Sequence, residues 1–178
     1  VGLLGVIDGG FEAGSGWKIP VTGWPAKYSQ RMAYDGAWSM RVGVDNRPNL
    51  SASYSSACQH VTIPGDALSA TLQCHVYPMS GEVAEATQKQ VFAPNTIAAG
   101  DAQYLLLLDP DSGEIVDVLF WQLSNAQRWQ HYTFDLSAYA GRTLKLHFGV
   151  YNDAGGGRTG MYVDNVSLVV RRPPLPEP

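Results

Sequence analysis

Apolar and polar residues alternate along most of the chain, and the alternation predicts strands rather than helices. Trp38, Met40, Val42 and Val44 alternate with Ser39, Arg41 and Gly43, and Gln59, Val61 and Ile63 with Cys58, His60 and Thr62. Leu68, Ala70, Leu72, Cys74 and Val76 alternate with Ser69, Thr71, Gln73, His75 and Tyr77. A period of two is the mark of a half-buried strand, and the last two runs read as adjoining strands. Tyr104–Leu108 and Ile115–Gln122 are apolar on both faces and flank Asp109-Pro110-Asp111-Ser112-Gly113-Glu114, which reads as a hairpin. Trp129–Leu136, Leu144–Tyr151 and Gly160–Val170 add strands near the C-terminus, with Val1–Ile7 and the short Ala26–Met32 near the start. Turns are marked by Asp35-Gly36, Pro64-Gly65-Asp66 and the corner from Asp135 to Gly141. Pro78–Gly100 lacks alternation and reads as a long excursion.

About eight or nine strands without helix alternation predict an all-β antiparallel sandwich, a jelly roll, as a single domain. That domain spans residues 1–170; four prolines in 171–178 make the remainder a linker or tail that leads to other domains of the same parent chain. In the last strand, Tyr162, Asp164, Val166, Leu168 and Val170 share one face by period two, which places the Asp164 carboxylate inward. An inward carboxylate needs a compensating charge or dense hydrogen bonding. Its natural partner is Glu12, in the glycine-rich run Asp8-Gly9-Gly10-Phe11-Glu12-Ala13-Gly14. Together the two suit a hard cation such as Ca²⁺.

Composition agrees with strands and loops: 178 residues include 19 Gly and 11 Pro, with 11% aromatic and only 16% charged residues. A net charge of −4 argues against nucleic acid as a partner, and no apolar run approaches transmembrane length, so no membrane insertion is expected. A start at Val1 suits a mature or trimmed segment. Cys58 and Cys74 hint at secretion, and their strand phases leave open whether they are bonded.

Signatures of catalysis are missing: the chain has no Gly-x-Ser-x-Gly and no His-Glu-x-x-His, and Asp117 and Asp153 stand as a glycosidase pair only by elimination. Asp109–Glu114 opens like a calcium loop but lacks the distant glutamate, and reads as a simple turn. His60, His75, His131 and His147 read as solvated strand residues rather than a zinc site, and Gly155-Gly156-Gly157 as a rim loop.

Three groups of motifs, in this order, resemble a galactose-binding-like jelly roll. They are Asp8–Gly14 with Trp17; Tyr34-Asp35-Gly36-Ala37-Trp38-Ser39-Met40-Arg41-Val42 followed by Gln59–Pro64; and Phe134–Leu144 followed by Tyr162-Val163-Asp164-Asn165-Val166. The resemblance covers the chain up to Arg171 and implies a calcium-containing carbohydrate-binding module of a secreted or cell-surface bacterial protein, without catalytic residues. It also implies that Gly10, Asp35 and Ser39 join Glu12 and Asp164 around a structural Ca²⁺. Sugar recognition uses aromatic faces and a few polar groups. By strand phase the face opposite the core carries Gln73, His75, Tyr77, Trp129, His131, Lys145, His147 and Tyr151. From these and their neighbours, Tyr77, Trp121, Tyr151, Asn152 and His75 are the candidate ligand contacts for a poly- or oligosaccharide, while Trp17, Trp38 and Trp129 read as packing residues. The alternative is a protein-interaction, adhesion or structural accessory domain of the same fold beside a secreted enzyme such as a protease, with loop 152–160 and the 78–100 excursion as its interface.

Overall fold

A computed structural model describes residues 5–45, 51–82, 100–155 and 157–174. The strands are β1 (Lys27–Ser29), β2 (Ser39–Gly43), β3 (Ser53–Thr62), β4 (Ser69–Ser80), β5 (Ala102–Leu108), β6 (Ile115–Gln122), β7 (Gln130–Asp135), β8 (Thr143–Asn152) and β9 (Thr159–Arg171). All pair antiparallel, in a five-stranded sheet of order β1-β2-β9-β4-β7 and a four-stranded sheet of order β3-β8-β5-β6. The predicted β-sandwich is therefore the observed fold.

Alternation explains which side chains meet between the sheets. Met40 and Val42 of β2, Ala70, Leu72, Cys74 and Val76 of β4, and Met161 and Val163 of β9 face Leu105 and Leu107 of β5 and Leu144, Leu146, Phe148 and Val150 of β8, all in one buried cluster. Phe11 and Trp17 close one end of it, their rings 5.2 Å apart.

Four expectations are corrected. β3 and β4 do not adjoin: they belong to different sheets, so the turn at 64–68 crosses between layers. The described part of the N-terminal run, from Gly5, forms turns rather than a strand, because Asp8 draws the chain back by accepting the Ala13 and Ser15 amides at 2.9 and 3.1 Å. β4 continues through Pro78 to Ser80, and the rest of the expected excursion, 83–99, lies outside the described residues. Both cysteines are free: Cys74 points into the core, whereas Cys58 lies on the outer face of the other sheet beside His147.

The fourth correction concerns Asp164. Gln73 pairs with Ser167 and His75 with Asp164, so Asn165 and Val166 together oppose the single residue Cys74, a β-bulge. Asn165 takes a left-handed φ of 47°, which short amide side chains tolerate. The extra residue reverses the side-chain phase. Tyr162 and Asp164 point outward, and Val166 and Leu168 inward with the core. Asp164 is nonetheless 0% exposed, because the 34–38 loop lies over it.

Gly9 packs against this bulge, its carbonyl accepting the Val166 amide at 2.9 Å. A Cβ at Gly9 would sit 1.8 Å from the Val166 oxygen, whereas one at Gly23 meets nothing within 4 Å. Gly9→Ala is expected to lower stability by about 2–3 kcal/mol, the scale of overpacking, and Gly23→Ala to change it little. Urea unfolding of the two variants checks this, and equal midpoints would contradict it.

Candidate functional site

The two ends of the described chain converge on the 34–38 loop. Asp164 Oδ2 accepts the Tyr34 and Asp35 amides at 2.7 and 3.2 Å, and its Oδ1 the Asn165 amide at 2.7 Å. Glu12 Oε1 accepts the Ala37 and Trp38 amides at 2.8 and 2.9 Å. Burial pushes the Asp164 carboxyl up, the three amides act against this, and the Glu12 charge adds to the rise. Gly10 lies between the two groups: a Cβ there would be 3.9 Å from both Glu12 Cγ and Asn165 Oδ1. The Asp35 carboxylate accepts its neighbour's amide, from Gly36, at 2.9 Å. The buried Ser39 hydroxyl donates to the Met32 carbonyl. Glu12, Asp164, Gly10 and Asp35 of the expected metal-site residues thus meet in one knot, in which backbone amides already supply part of the compensation, while the Ser39 hydroxyl is turned to Met32.

The expected ligand contacts divide between opposite faces. His75 and Tyr77 lie on the outer face of the five-stranded sheet, while Trp121 and Tyr151 lie on the outer face of the four-stranded sheet. One continuous face from Gln73 to Tyr151 does not exist, because β4 and β7 are in one layer and β8 in the other. Asn152 is buried between strand ends, and its amide is consumed: Nδ2 donates to the Thr159 carbonyl at 3.0 Å and Oδ1 accepts the Thr159 amide at 2.9 Å. It is a structural clamp.

On the five-stranded face, Tyr34 stacks on His75 at 3.7 Å and His75 on His131 at 4.7 Å. Trp129 stands edge-on to Tyr77 at 5.7 Å and to Tyr34 at 5.9 Å. Tyr77 opens into a cleft of about 350 Å³, whose polar lining includes Arg31, Asp45, Asn125, Gln127 and Arg158. Asp45 organises one wall. It accepts from Arg31 at 3.3 Å, Arg41 at 3.5 Å and the Tyr162 hydroxyl at 2.8 Å. Burial, with the neighbouring Asp45 carboxylate, pushes the Tyr162 phenol up to about 12. Sequence reasoning missed these polar residues because they come from separate loops, and missed Tyr34 because strand phase says nothing about a turn; Trp129, which strand phase puts on the face opposite the core, stands there beside Tyr77 and Tyr34.

On the four-stranded face, Tyr104 stacks against Trp121 at 4.7 Å and lies parallel to His147 at 6.0 Å, and Tyr54 leans on Tyr151 at 4.8 Å. The Tyr104 ring rests on Gly149, where a Cβ would fall 2.2 Å from a ring carbon. This patch is aromatic and aliphatic, with Leu106 and Leu108 beside it, and Tyr104 is only 5% exposed.

Among the described residues, the acids and histidines set aside in the sequence do not come together as a catalytic pair or a zinc site. Asp117 accepts the Tyr139 hydroxyl at 2.7 Å, and the strand register places it at the opposite end of the four-stranded sheet from Asp153. Asp109 accepts the Asp111 and Ser112 amides at 3.0 and 2.8 Å, as a simple turn does. His75 and His131 are on one sheet and His147 on the other.

No family model matches the chain, and no curated protein matches it in sequence. Solved structures do match. TmCBM61, solved in complex with β-1,4-galactotriose, superposes with a TM-score of 0.58 at 13% identity, over 93% of this chain and 98% of that one. A structure of carbohydrate-binding modules from the β-sandwich superfamily gives 0.55 at 14% identity, over 91% of this chain and 61% of that one. The fold, a two-layered antiparallel β-sandwich, is shared with these structures. The K1 cleaved adhesin domain of Lys-gingipain from Porphyromonas gingivalis W83 superposes with a TM-score of 0.55 at 12% identity, over 88% of this chain and 92% of that one.

One titration on the four-stranded face is measurable. Burial, with Lys145 nearby, lowers the His147 pKa to about 4, and its Nδ1 lies 3.2 Å from Cys58 Sγ. The unfolded chain takes up this proton below about pH 6.5 and the folded chain does not, so His147 lowers stability as pH falls from there toward about 4. Urea unfolding at about pH 7.5 and about pH 4.5 should show His147→Gln losing about 2 kcal/mol less than the parent protein. Equal losses would refute it.

Proposed function

We propose that this chain is a non-catalytic carbohydrate-binding module that holds a poly- or oligosaccharide in the cleft beside Tyr77. The observation that carries this reading is the pairing, in one concavity of about 350 Å³, of the Tyr77 ring with guanidinium, carboxylate and amide groups, next to the edge of Trp129. A pyranose ring offers an apolar face to an aromatic side chain and a rim of hydroxyls to planar polar groups. The cleft answers both demands. The likeness to TmCBM61 and to the β-sandwich modules supports the reading, and such a module acts in a secreted or surface protein by raising the local concentration of attached domains at their substrate.

A structural Ca²⁺ at the Glu12–Asp164 knot belongs to the same proposal. Among the described residues, the hydrogen bonds of Glu12 all fall on Oε1, and the carboxylate acts on Asp164 as a like charge. A hard cation taking Glu12 Oε2 and Asp164, with oxygens from Gly10, Asp35 and Ser39, would relieve that repulsion. It would also fix Tyr34, whose amide is bonded to Asp164 and whose ring stacks on His75.

Polysaccharide pull-down followed by titration with soluble oligosaccharides tests the sugar site. Tyr77→Ala is expected to weaken binding about tenfold or more, the equivalent of about 1–2 kcal/mol, with an unchanged melting temperature. Undiminished binding by Tyr77→Ala together with a loss in Trp121→Ala would move the site to the four-stranded face; no glycan bound by the folded protein would overturn the reading. For the ion, a chelator should lower the melting temperature of the parent protein by several degrees more than that of Asp164→Asn, whereas equal shifts in the two would exclude an ion at this knot.

A further inference from the structure

A second group of acids sits at the rim, where three strand ends meet. Glu82 follows β4, Asp101 precedes β5 and Asp153 follows β8, so the group joins the five-stranded sheet to the four-stranded one. Each offers a carboxylate oxygen, and these oxygens all lie within 4.8 Å of one another. No Lys or Arg forms an ion pair with any of the three among the described residues.

Asp101 points to a ligand independently. It is 3% exposed, and its Oδ1 accepts the Asp153 amide at 2.7 Å. Its Oδ2 is sealed from solvent and no hydrogen bond of ordinary geometry reaches it; the nearby Thr159 hydroxyl, 2.8 Å from Ser80 Oγ, is the one side chain that acts on the carboxylate as a donor. Burial pushes the Asp101 carboxyl up, the Thr159 hydroxyl and Asp153 amide act against it, and the Glu82 and Asp153 charges add to it. A buried carboxylate oxygen with one hydroxyl near it and two further carboxylates facing it is an unmet demand for positive charge.

We propose that Glu82, Asp101 and Asp153 form a second cation site, separate from the Glu12–Asp164 knot, that takes Ca²⁺. Size selects the ion. Ca²⁺ takes carboxylate oxygens at about 2.3–2.6 Å in a flexible shell, which a cluster spanning up to 4.8 Å admits, whereas Mg²⁺ demands a near-ideal octahedron at about 2.0–2.1 Å that three loop-borne carboxylates do not preform. The loop amides leave room for it: Gly155 donates to Asp153 Oδ1 at 2.6 Å and Gly157 to Glu82 Oε1 at 3.3 Å, fixing two carboxylates by one oxygen each. An ion here staples the sheets at the end where Ser80 and Gly81, the residues before Glu82, line the cleft.

Calorimetric titration of chelator-stripped full chain with CaCl₂ tests the site, with Asp101→Asn, Asp153→Asn and Asp164→Asn compared. Asn at 101 keeps the oxygen that accepts the Asp153 amide, and circular dichroism checks its fold; should it unfold, Asp153→Asn serves instead. The expected result is Ca²⁺ binding that weakens about tenfold or more in Asp101→Asn and Asp153→Asn and persists in Asp164→Asn. Isotherms unchanged by both rim substitutions would overturn the proposal. So would the absence of binding by the parent protein together with a higher melting temperature for Asp101→Asn, the signature of a carboxyl cluster sharing a proton.

Discussion

One buried carboxylate holds the architecture of this molecule in register. Asp164 gathers the amides of Tyr34, Asp35 and Asn165, and a charge-assisted acceptor of several amides is among the stronger interactions a loop can make. It sits on a bulge that Gly9 contacts from the N-terminal side. The first turn, the loop before β2 and the last strand are therefore referred to a single side chain. The same arrangement places the Tyr34 ring over His75, so the aromatic row on the outer face depends on a contact made beneath it.

Strands with clean alternation were legible from the chain itself: β2, β4, β8 and the hairpin of β5 and β6 fall where the pattern places them. Sheet membership was not, because period two says which face a side chain takes and nothing about which strand lies beside it. β3 and β4 are consecutive and similarly patterned, yet they separate into different layers. The inward reading of Asp164 failed for a local reason: one residue at positive φ, Asn165, flips every later side chain of β9. An Asn following an Asp in a strand is a signal for such a conformation, but a weak one.

The candidate sites divide similarly. His75 and Tyr77 were legible because they are two apart on one regular strand. Arg31, Asp45, Gln127 and Arg158 were not, since four loops distant in sequence deliver them to one cleft. Among the acids, Glu12 and Asp164 stood out within recognisable motifs, whereas Glu82, Asp101 and Asp153 share only the fact that each lies just outside a strand end. Fold likeness at low identity extends to the scaffold and stops short of these side chains.

The position of β9 has a further consequence, for the order in which the molecule can be made. The last strand of the chain lies at the centre of the five-stranded sheet, between β2 and β4. Synthesis thus delivers both flanks of that sheet before the strand that joins them, and the sheet cannot close until residue 171 is in place. Until then β2 and β4 each present an unpaired edge. Contacts this distant in sequence are slow to form. A nascent chain of this topology keeps that sheet open until β9 has been made, so its assembly waits on the C-terminal part of the domain.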